Sequence, residues 1–464
     1  MPKKKSNRIG FLYIKHVFFA FLFIIMVCAV FLAYSVYTLN NPKPASLTAD
    51  KEKAFQTAAE RYRPAPVVPL FWKPEKAGIE NIHINAASGI LVDIKSGSIL
   101  YEKNADRIIP PASMTKLAAM YTVFQDIAAG KVSLDDRVPL TKNSWAVNAP
   151  PGSSLMFLAE GQSVSLRELL LGLAVVSGND AATAVAEYIA GSQSAFVERM
   201  NAEMKKLGLK HTRFADSSGY SELNSTTARE FAVFSRAYLK LYPESLHEFH
   251  SVKEFGYPAS NPIIQKNTNP ALGIIEGVNG LKTGFIPESG YNLALTAERG
   301  SMSILSVTLG GPGKGTKQGN QYRLEDARTL TSYAFDNFQS VAVERGLSVP
   351  LGVACGRQRS LFAREAVFSA SKEAQQPVII LPASAAELKR GFVLKNKSCL
   401  RAPLKAGDII GKVVYSAGGL TVKEVPLIAD RDISEAGFIK KLFDKIACRI
   451  MNLAPPDLPA DNFS

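Results

Sequence analysis

The sequence predicts an α+β fold on three observations. Two β-rich runs, Gly89–Ile94 and Ser98–Glu102, surround a Lys95-Ser96-Gly97 turn and read as a hairpin. A helical middle follows, and strand patterns return at Tyr291–Ala297 and Ser303–Leu309, so one sheet is completed by segments distant in sequence. From about residue 346 the texture changes to short β-like runs divided by Gly and Asp turns, which reads as a separate small all-β domain.

In chain order, the first element is apolar. Lys3, Lys4, Lys5, Arg8 and Lys15 precede the uncharged block Val17–Leu39. Its 23 residues would reach roughly 35 Å as a helix, enough to span a bilayer. The preceding positive charge predicts the amino end inside and the rest of the chain outside. Secretory signals have shorter apolar regions of about 7–15 residues, so residues 1–39 are read as a signal anchor. A long signal peptide, with Ala33-Tyr34-Ser35 as a cleavage site, is the alternative. Residues 40–81 carry Pro42, Pro64, Pro66, Pro69 and Pro74 and read as an extended tether.

The mixed domain is bounded at 82–343. Apolar spacing of three and four predicts helices at Met114–Gln125, Leu166–Val176, Ala181–Tyr188, Ser194–Leu207, Thr226–Leu241 and Arg323–Phe338. The β domain is placed at 344–432, with strands such as Pro377–Leu381 and Lys412–Tyr415. In the terminal segment 433–464, Phe438, Ile439, Leu442, Phe443, Ile446 and Ile450 share one helical face, beside Lys440, Lys441, Lys445 and Arg449. A basic amphipathic helix isolated at the chain end reads as a membrane contact, with a domain cap as the alternative.

Composition removes several function classes. A length of 464 residues leaves room for two or three domains, and 54 Lys plus Arg against 41 Asp plus Glu gives a net charge of +13. That balance suits a membrane, a cell wall or nucleic acid, but no helix-turn-helix, zinc-finger or aromatic sheet signature accompanies it, so no nucleic-acid partner is expected. Cys28, Cys355, Cys399 and Cys448 are too scattered for a metal cage, and His247 and His250 have no third ligand beside them, so neither a metal nor a cofactor is expected. Cys355 and Cys399 are read as buried small hydrophobes, with pairing between them in an exported chain as the alternative.

Three short motifs carry chemistry: Ser113-Met114-Thr115-Lys116, Ser177-Gly178-Asn179 and Lys282-Thr283-Gly284. Each alone is common; their order and contexts together are not. Pro110-Pro111 ends an extended approach and helical spacing begins at Met114, so Ser113 falls in the first turn, with Lys116 on the same face. A serine hydroxyl needs a base to take its proton. Lys116 can serve only when neutral, which requires burial and nearby positive charge; Lys282 is the candidate for that charge. The helix start favours an oxyanion at Ser113. Ser177 and Asn179 offer a hydroxyl and an amide at another helix start, for proton transfer and for holding a substrate amide. Gly284 permits close approach of a ligand backbone to a strand-like segment, with Lys282 and Thr283 meeting a carboxylate.

S-x-x-K, S-D-N and K-T-G form a known motif set of class A β-lactamases and penicillin-binding proteins. The stretches PPASMTKLAAMYTVF, LRELLLGLAVVSGNDAATAVAEYIAG and GVNGLKTGFIPESGYNLALTAERG closely resemble the D-alanyl-D-alanine carboxypeptidases, the low-molecular-weight penicillin-binding proteins. LRAPLKAGDIIGKVVYSAGGLTVKEVPLIA resembles their C-terminal β domain, and the terminal helix resembles their membrane anchor. The resemblance implies an antiparallel sheet with helices on both sides and a serine acyl-enzyme mechanism on peptidoglycan stem peptides, without metal. It implies Ser113 as nucleophile, Lys116 as base, Ser177 and Asn179 in proton transfer and amide binding, Lys282 and Thr283 in substrate binding, and the backbone N–H groups of Ser113 and Phe285 as oxyanion hole. It also implies Arg323 as an aid to carboxylate recognition, β-lactams as covalent inhibitors, and a place on the outer, periplasmic face of a bacterial cytoplasmic membrane.

Two features depart from the family. The N-terminal apolar run is longer than its usual cleaved signal, which puts double membrane attachment in play. Glu222-Leu223-Asn224 is superficially similar to the deacylating motif of class A β-lactamases, but its flanks resemble the carboxypeptidases and Glu222 reads as a solvated loop acid. The competing readings are a D,D-endopeptidase or β-lactamase on the same scaffold, and a catalytically weak peptidoglycan-binding scaffold.

Overall fold

The computed structural model describes residues 6–40, 67–343, 348–357, 367–370, 378–385, 387–395 and 399–453. Most of the expected Pro-rich tether, residues 41–66, and the tail 454–464 lie outside them. The chain divides into two compact units. One holds residues 64–341 with 380–384; the other holds 1–63, 342–379 and 385–464.

The first unit is built on a six-stranded sheet. Its strands are β1 (Val68–Pro69), β2 (Ser88–Asp93), β3 (Ser98–Lys103), β4 (Val278–Ile286), β5 (Gly290–Arg299) and β6 (Met302–Gly311), in the order β1-β3-β2-β6-β5-β4. The expected hairpin forms, with Gly97 at φ +75° in its turn and Ile90 opposite Glu102. β6 then pairs with β2, Val307 opposite Ile90, so the sheet does close between distant segments. One pairing departs from an all-antiparallel sheet: β1 runs parallel to β3. Its two residues end in Pro69, which cannot donate to a further ladder bond and so sits at the edge.

Alternation of side chains gives the sheet two packed faces. Ile90, Val92, Leu305, Val307 and Leu309 join a core with Leu117 and Met120 of α2 (Thr115–Ala128) and Phe231, Phe234 and Tyr238 of α6 (Ala228–Leu241). On the other face α7 (Gly315–Asn337) packs on β5 and β6. Between α2 and α6 lie α3 (Leu166–Leu171), α4 (Asn179–Ala190) and α5 (Gln193–Lys206). Their starts follow capping chemistry: Ser165 and Glu168 form a reciprocal box at α3, while Ser192 and Thr227 accept from Ala195 and Glu230 N–H at α5 and α6.

Two helices differ from expectation. The run Leu166–Val176 is α-helical only to Leu171 and continues as a wider π turn, Gly172–Val176, that ends with Ser177 in the left-handed region at φ +64°. α7 begins at Gly315, eight residues before Arg323. The glycines of its first turns disfavour helix in isolation, yet the Tyr291 ring lies against Gly319, where a Cβ would stand 2.3 Å from ring carbons. Glycine is there what lets helix and sheet meet.

The second unit has a five-stranded antiparallel sheet of β7 (Ser348–Pro350), β8 (Val367–Ala370), β9 (Leu388–Leu394), β10 (Ile409–Ala417) and β11 (Leu420–Ala429), in the order β7-β8-β11-β10-β9. Gly418 and Gly419, both at positive φ, turn β10 into β11. The unit also holds α1 (Ser6–Asn40) and α8 (Phe438–Leu453). Lys15–Asn40 is the one helix among the described residues long and apolar enough to cross a bilayer.

Two sequence readings are corrected here. Cys399 is neither a free hydrophobe nor the partner of Cys355: it forms a disulfide with Cys448 of α8, and Cys355 is a buried free thiol. Nor is α8 isolated. Ala447, Cys448 and Met451 are buried with Leu39, Ala354 and Cys355, and Phe443 lies 5.8 Å from Phe31 of α1. Asp444, fully buried, accepts from Cys355 N–H at 2.7 Å. Phe438, Ile439, Leu442, Ile446 and Ile450 remain exposed on the opposite strip.

Candidate active site

The three motifs converge in the first unit. Ser113 lies in a 3-10 turn, Ala112–Met114, that leads into α2. The approach is pinned by Asn292 of β5, whose Nδ2 donates to Pro110 O at 2.9 Å while its Oδ1 accepts from Gly310 N. Ala112 has φ +51°, a conformation an alanine adopts only under constraint. Two glycines supply that constraint. A Cβ on Gly219 would stand 1.9 Å from Ala112 O, and one on Gly284 would stand 2.4 Å from Pro111 O and 3.1 Å from Met114 N. The backbone that Gly284 admits is therefore the chain's own turn around Ser113, where the sequence suggests a ligand.

Lys116 is fully buried, and its Nζ stands 3.0 Å from Ser113 Oγ. It donates to Asn179 Oδ1 at 2.7 Å and to the Ser218 carbonyl at 2.6 Å. Burial pushes the amine down to about 7, against the upward pull of the Asp216 and Asp180 carboxylates. Desolvation wins, so a substantial fraction of Lys116 is neutral near pH 7 and able to accept the Ser113 proton.

A second serine–lysine pair mirrors the first. Lys282, on β4 and buried, donates to Ser177 Oγ at 3.0 Å and to Thr283 O at 3.1 Å. Burial, then the neighbouring charges of Lys116 and Arg323, hold it well below the ordinary lysine range. The left-handed Ser177 turns its hydroxyl out of the π turn toward β4, which regular helix would not do. Gly178 is required beside it, because a Cβ would meet Asp180 Oδ1 at 2.7 Å and Met156 N at 3.0 Å.

Asn179 donates from Nδ2 to Ser153 Oγ at 2.9 Å, so its amide links Lys116 to the segment before Met156. Asp180 anchors that segment by accepting from Met156 and Leu158 N–H. Thr283 Oγ1 donates to Thr268 Oγ1 at 2.7 Å. Arg323 is buried: it donates to Gly284 O, to Asn292 O at 3.1 Å and to Asn320 Oδ1 at 2.8 Å. It also lies 4.9 Å over the Tyr291 ring, which stacks on the half-exposed Phe285 ring at 4.3 Å. Arg323 thus acts on the strand that carries the third motif. Burial lowers it to about 10.

The structure brings Ser113, Lys116 and Asn179 together on one side and Ser177, Lys282 and Thr283 on the other, and it leaves Glu222 exposed in its loop. Sequence reasoning misses Asp216, Asp180, Asn292, Ser153 and the Ser218 carbonyl. Asp216-Ser217-Ser218-Gly219 carries a signal in its composition, an acid followed by turn formers. His250, considered as a metal ligand, instead bonds Tyr238 OH at 2.8 Å and Leu281 O at 3.1 Å, and burial lowers it to about 3, so it is neutral.

The family described as D-alanyl-D-alanine carboxypeptidase matches residues 75–313, and the domain described as penicillin-binding protein 5, C-terminal domain, matches residues 366–435. The chain is 34% identical over 370 residues to D-alanyl-D-alanine carboxypeptidase DacC of Escherichia coli, covering 79% of this chain and 88% of that one. It is 35% identical over 374 residues to DacA of the same organism, covering 78% and 87%. Among solved structures, penicillin binding protein 5 from Haemophilus influenzae superposes with a TM-score of 0.66 at 32% identity, covering 77% of this chain and all of that one.

Proposed function

The chain belongs to the D-alanyl-D-alanine carboxypeptidase family and is a serine-type member of it, and we propose how its two serine–lysine pairs divide the work on a peptidoglycan stem peptide. Neutral Lys116 takes the proton of Ser113 as Oγ attacks the carbonyl between two D-alanines. The negative charge that develops on that carbonyl oxygen is met by the N–H groups of Ser113 and Phe285. The C–N bond breaks, the proton passes to the departing D-alanine amine, and an ester on Ser113 remains. Water then adds to the ester, Lys116 again takes a proton, and Ser113 is released with the shortened peptide.

Ser177 and Lys282 form the relay on the leaving-group side. Asn179 holds the substrate amide, and Lys282 and Thr283 meet its terminal carboxylate, with Arg323 supporting β4 through Gly284. The observation that carries this reading is a fully buried lysine, lowered to about 7, within 3.0 Å of a half-buried serine hydroxyl. β-Lactams would acylate the same oxygen.

The same reading places both units on the outer face of a bacterial cytoplasmic membrane, with α1 crossing it and the basic residues before α1 inside. The Cys399–Cys448 disulfide supports an oxidising compartment. The exposed strip of α8, with Lys441, Lys445 and Arg449 near it, would lie in the interface as a second attachment.

The test is incubation with a labelled penicillin beside a Ser113→Ala control, peptide mass spectrometry of the adduct, and an assay of D-alanine release. A stable adduct on Ser113 with D-alanine release is expected. A folded protein giving neither overturns the reading, and rapid penicillin turnover would favour a β-lactamase.

A further inference from the structure

Asp216 is outside all three motifs, yet the loop that closes the site is wound around it. Its Oδ1 accepts from Ser218 N at 2.7 Å, Ser218 Oγ at 2.7 Å, Gly219 N at 2.6 Å and Tyr220 N at 3.3 Å. Its Oδ2 accepts from Ser221 N at 2.8 Å and Asn224 Nδ2 at 2.9 Å. Backbone N–H groups gathered on one carboxylate turn their carbonyls outward. One of those carbonyls, Ser218 O, is the 2.6 Å acceptor of Lys116 Nζ. The next residue, Gly219, is the one pressed on Ala112 immediately before the nucleophile. A single carboxylate therefore fixes a partner of the base and the backing of the serine.

We propose that Asp216 is a positioning residue for the acyl-transfer reaction, folding residues 217–221 so that Ser218 O holds the Lys116 amine and Gly219 supports the Ser113 turn. The inference rests on the reading of Lys116 as the base. It goes beyond the motif residues because Asp216 touches neither Ser113 nor, by its own side chain, Lys116.

Three elements bring titratable groups to Lys116: Asp216 in this loop and Asp180 on α4, whose charges act on it, and β4 with Lys282, which burial and the charge of Lys116 hold well below the ordinary lysine range. Asp216 and Asp180 favour the protonated amine, and burial opposes it. Neutralising Asp216 leaves burial less opposed, so Lys116 gives up its proton at lower pH. That shift separates positioning of the base from general loosening of the loop, which lowers rates without moving a titration.

The experiment is the pH profile of penicillin acylation in Asp216→Asn, with melting temperature recorded alongside. The acid limb is expected to move down by about half a pH unit or more, and the plateau to fall about tenfold or more. A limb that stays in place in folded Asp216→Asn protein overturns the proposal. Should that variant not fold, Asp216→Glu keeps the charge and shifts the carboxylate by one methylene. Its limb is expected to stay while its plateau falls about tenfold; a wild-type plateau overturns the proposal equally. Failure of the acyl-enzyme reading itself is distinguishable, since it appears first as a wild-type protein without a Ser113 adduct.

Discussion

Replacing Gly284 by alanine tests whether catalysis depends on the closeness of β4 to the nucleophile turn. The added Cβ would stand 2.4 Å from Pro111 O, whereas ordinary contact begins at 3.4 Å, so strand and turn must separate by about 1 Å. No side-chain rotation relieves the overlap, because Pro111 O and Met114 N are both backbone atoms. The turn carries Ser113, and the strand carries Thr283 and Phe285, so the separation moves attacking and stabilising groups apart. A misplacement of about 1 Å costs on the order of 10²-fold in rate, and overpacking costs about 1–3 kcal/mol of stability. Stopped-flow acylation by a fluorescent penicillin should therefore fall about 100-fold in Gly284→Ala, with a drop of a few degrees in Tm. Gly391→Ala is the control, since its Cβ meets nothing within 4 Å and its φ is not positive. Acylation by folded Gly284→Ala protein within about threefold of wild type would refute the reasoning, because it would mean the required 1 Å is catalytically irrelevant.

Because Lys116 is lowered to about 7, acylation should fall about tenfold per pH unit well below that value and level off above it. Lys116→Arg, permanently protonated, should lose about 10³-fold or more across the whole range. The sign of the stability effect follows from the same burial. The unfolded chain binds the Lys116 and Lys282 protons up to about pH 10 while the folded one has released them, so the urea midpoint should rise between pH 7 and pH 9. A midpoint that does not rise over that window would mean the lysines keep their protons in the folded protein. Cys399→Ser removes a link that spans 49 residues and should destabilise the second unit by about 4 kcal/mol, seen as faster hydrogen exchange in α8 with the acylation rate unchanged.

Much of the site was readable because its chemistry is local. Ser113 and Lys116 share a helical turn, and Ser177-Gly178-Asn179 and Lys282-Thr283-Gly284 are contiguous, so each half-pair announces itself before the fold is known. What escaped was set by tertiary packing. Asp216 acts through backbone carbonyl placement, and no residue type marks a carbonyl. The left-handed Ser177 follows a π turn that has the same apolar spacing as an ordinary helix end. The start of α7 was hidden because glycines that disfavour helix in isolation are demanded by the Tyr291 ring. The Cys399–Cys448 pair is hidden for a related reason: the broad apolar strip bearing Phe438 and Ile446 dominates the helical pattern, while the narrower strip of Ala447, Cys448 and Met451 is the one the unit buries.

That narrow strip imposes an order of events on the chain's maturation. Leu39, near the start, is packed with Ala447, Cys448 and Met451, roughly four hundred residues later. Whatever emerges first must wait with Leu32, Val36 and Leu39 uncovered until the last helix arrives and its cysteine is oxidised. The small core thus serves as a closing clasp, formed only after the entire catalytic unit lying between its halves has been made, so that a chain cut short or left reduced would keep an apolar seam exposed and be recognisable as unfinished.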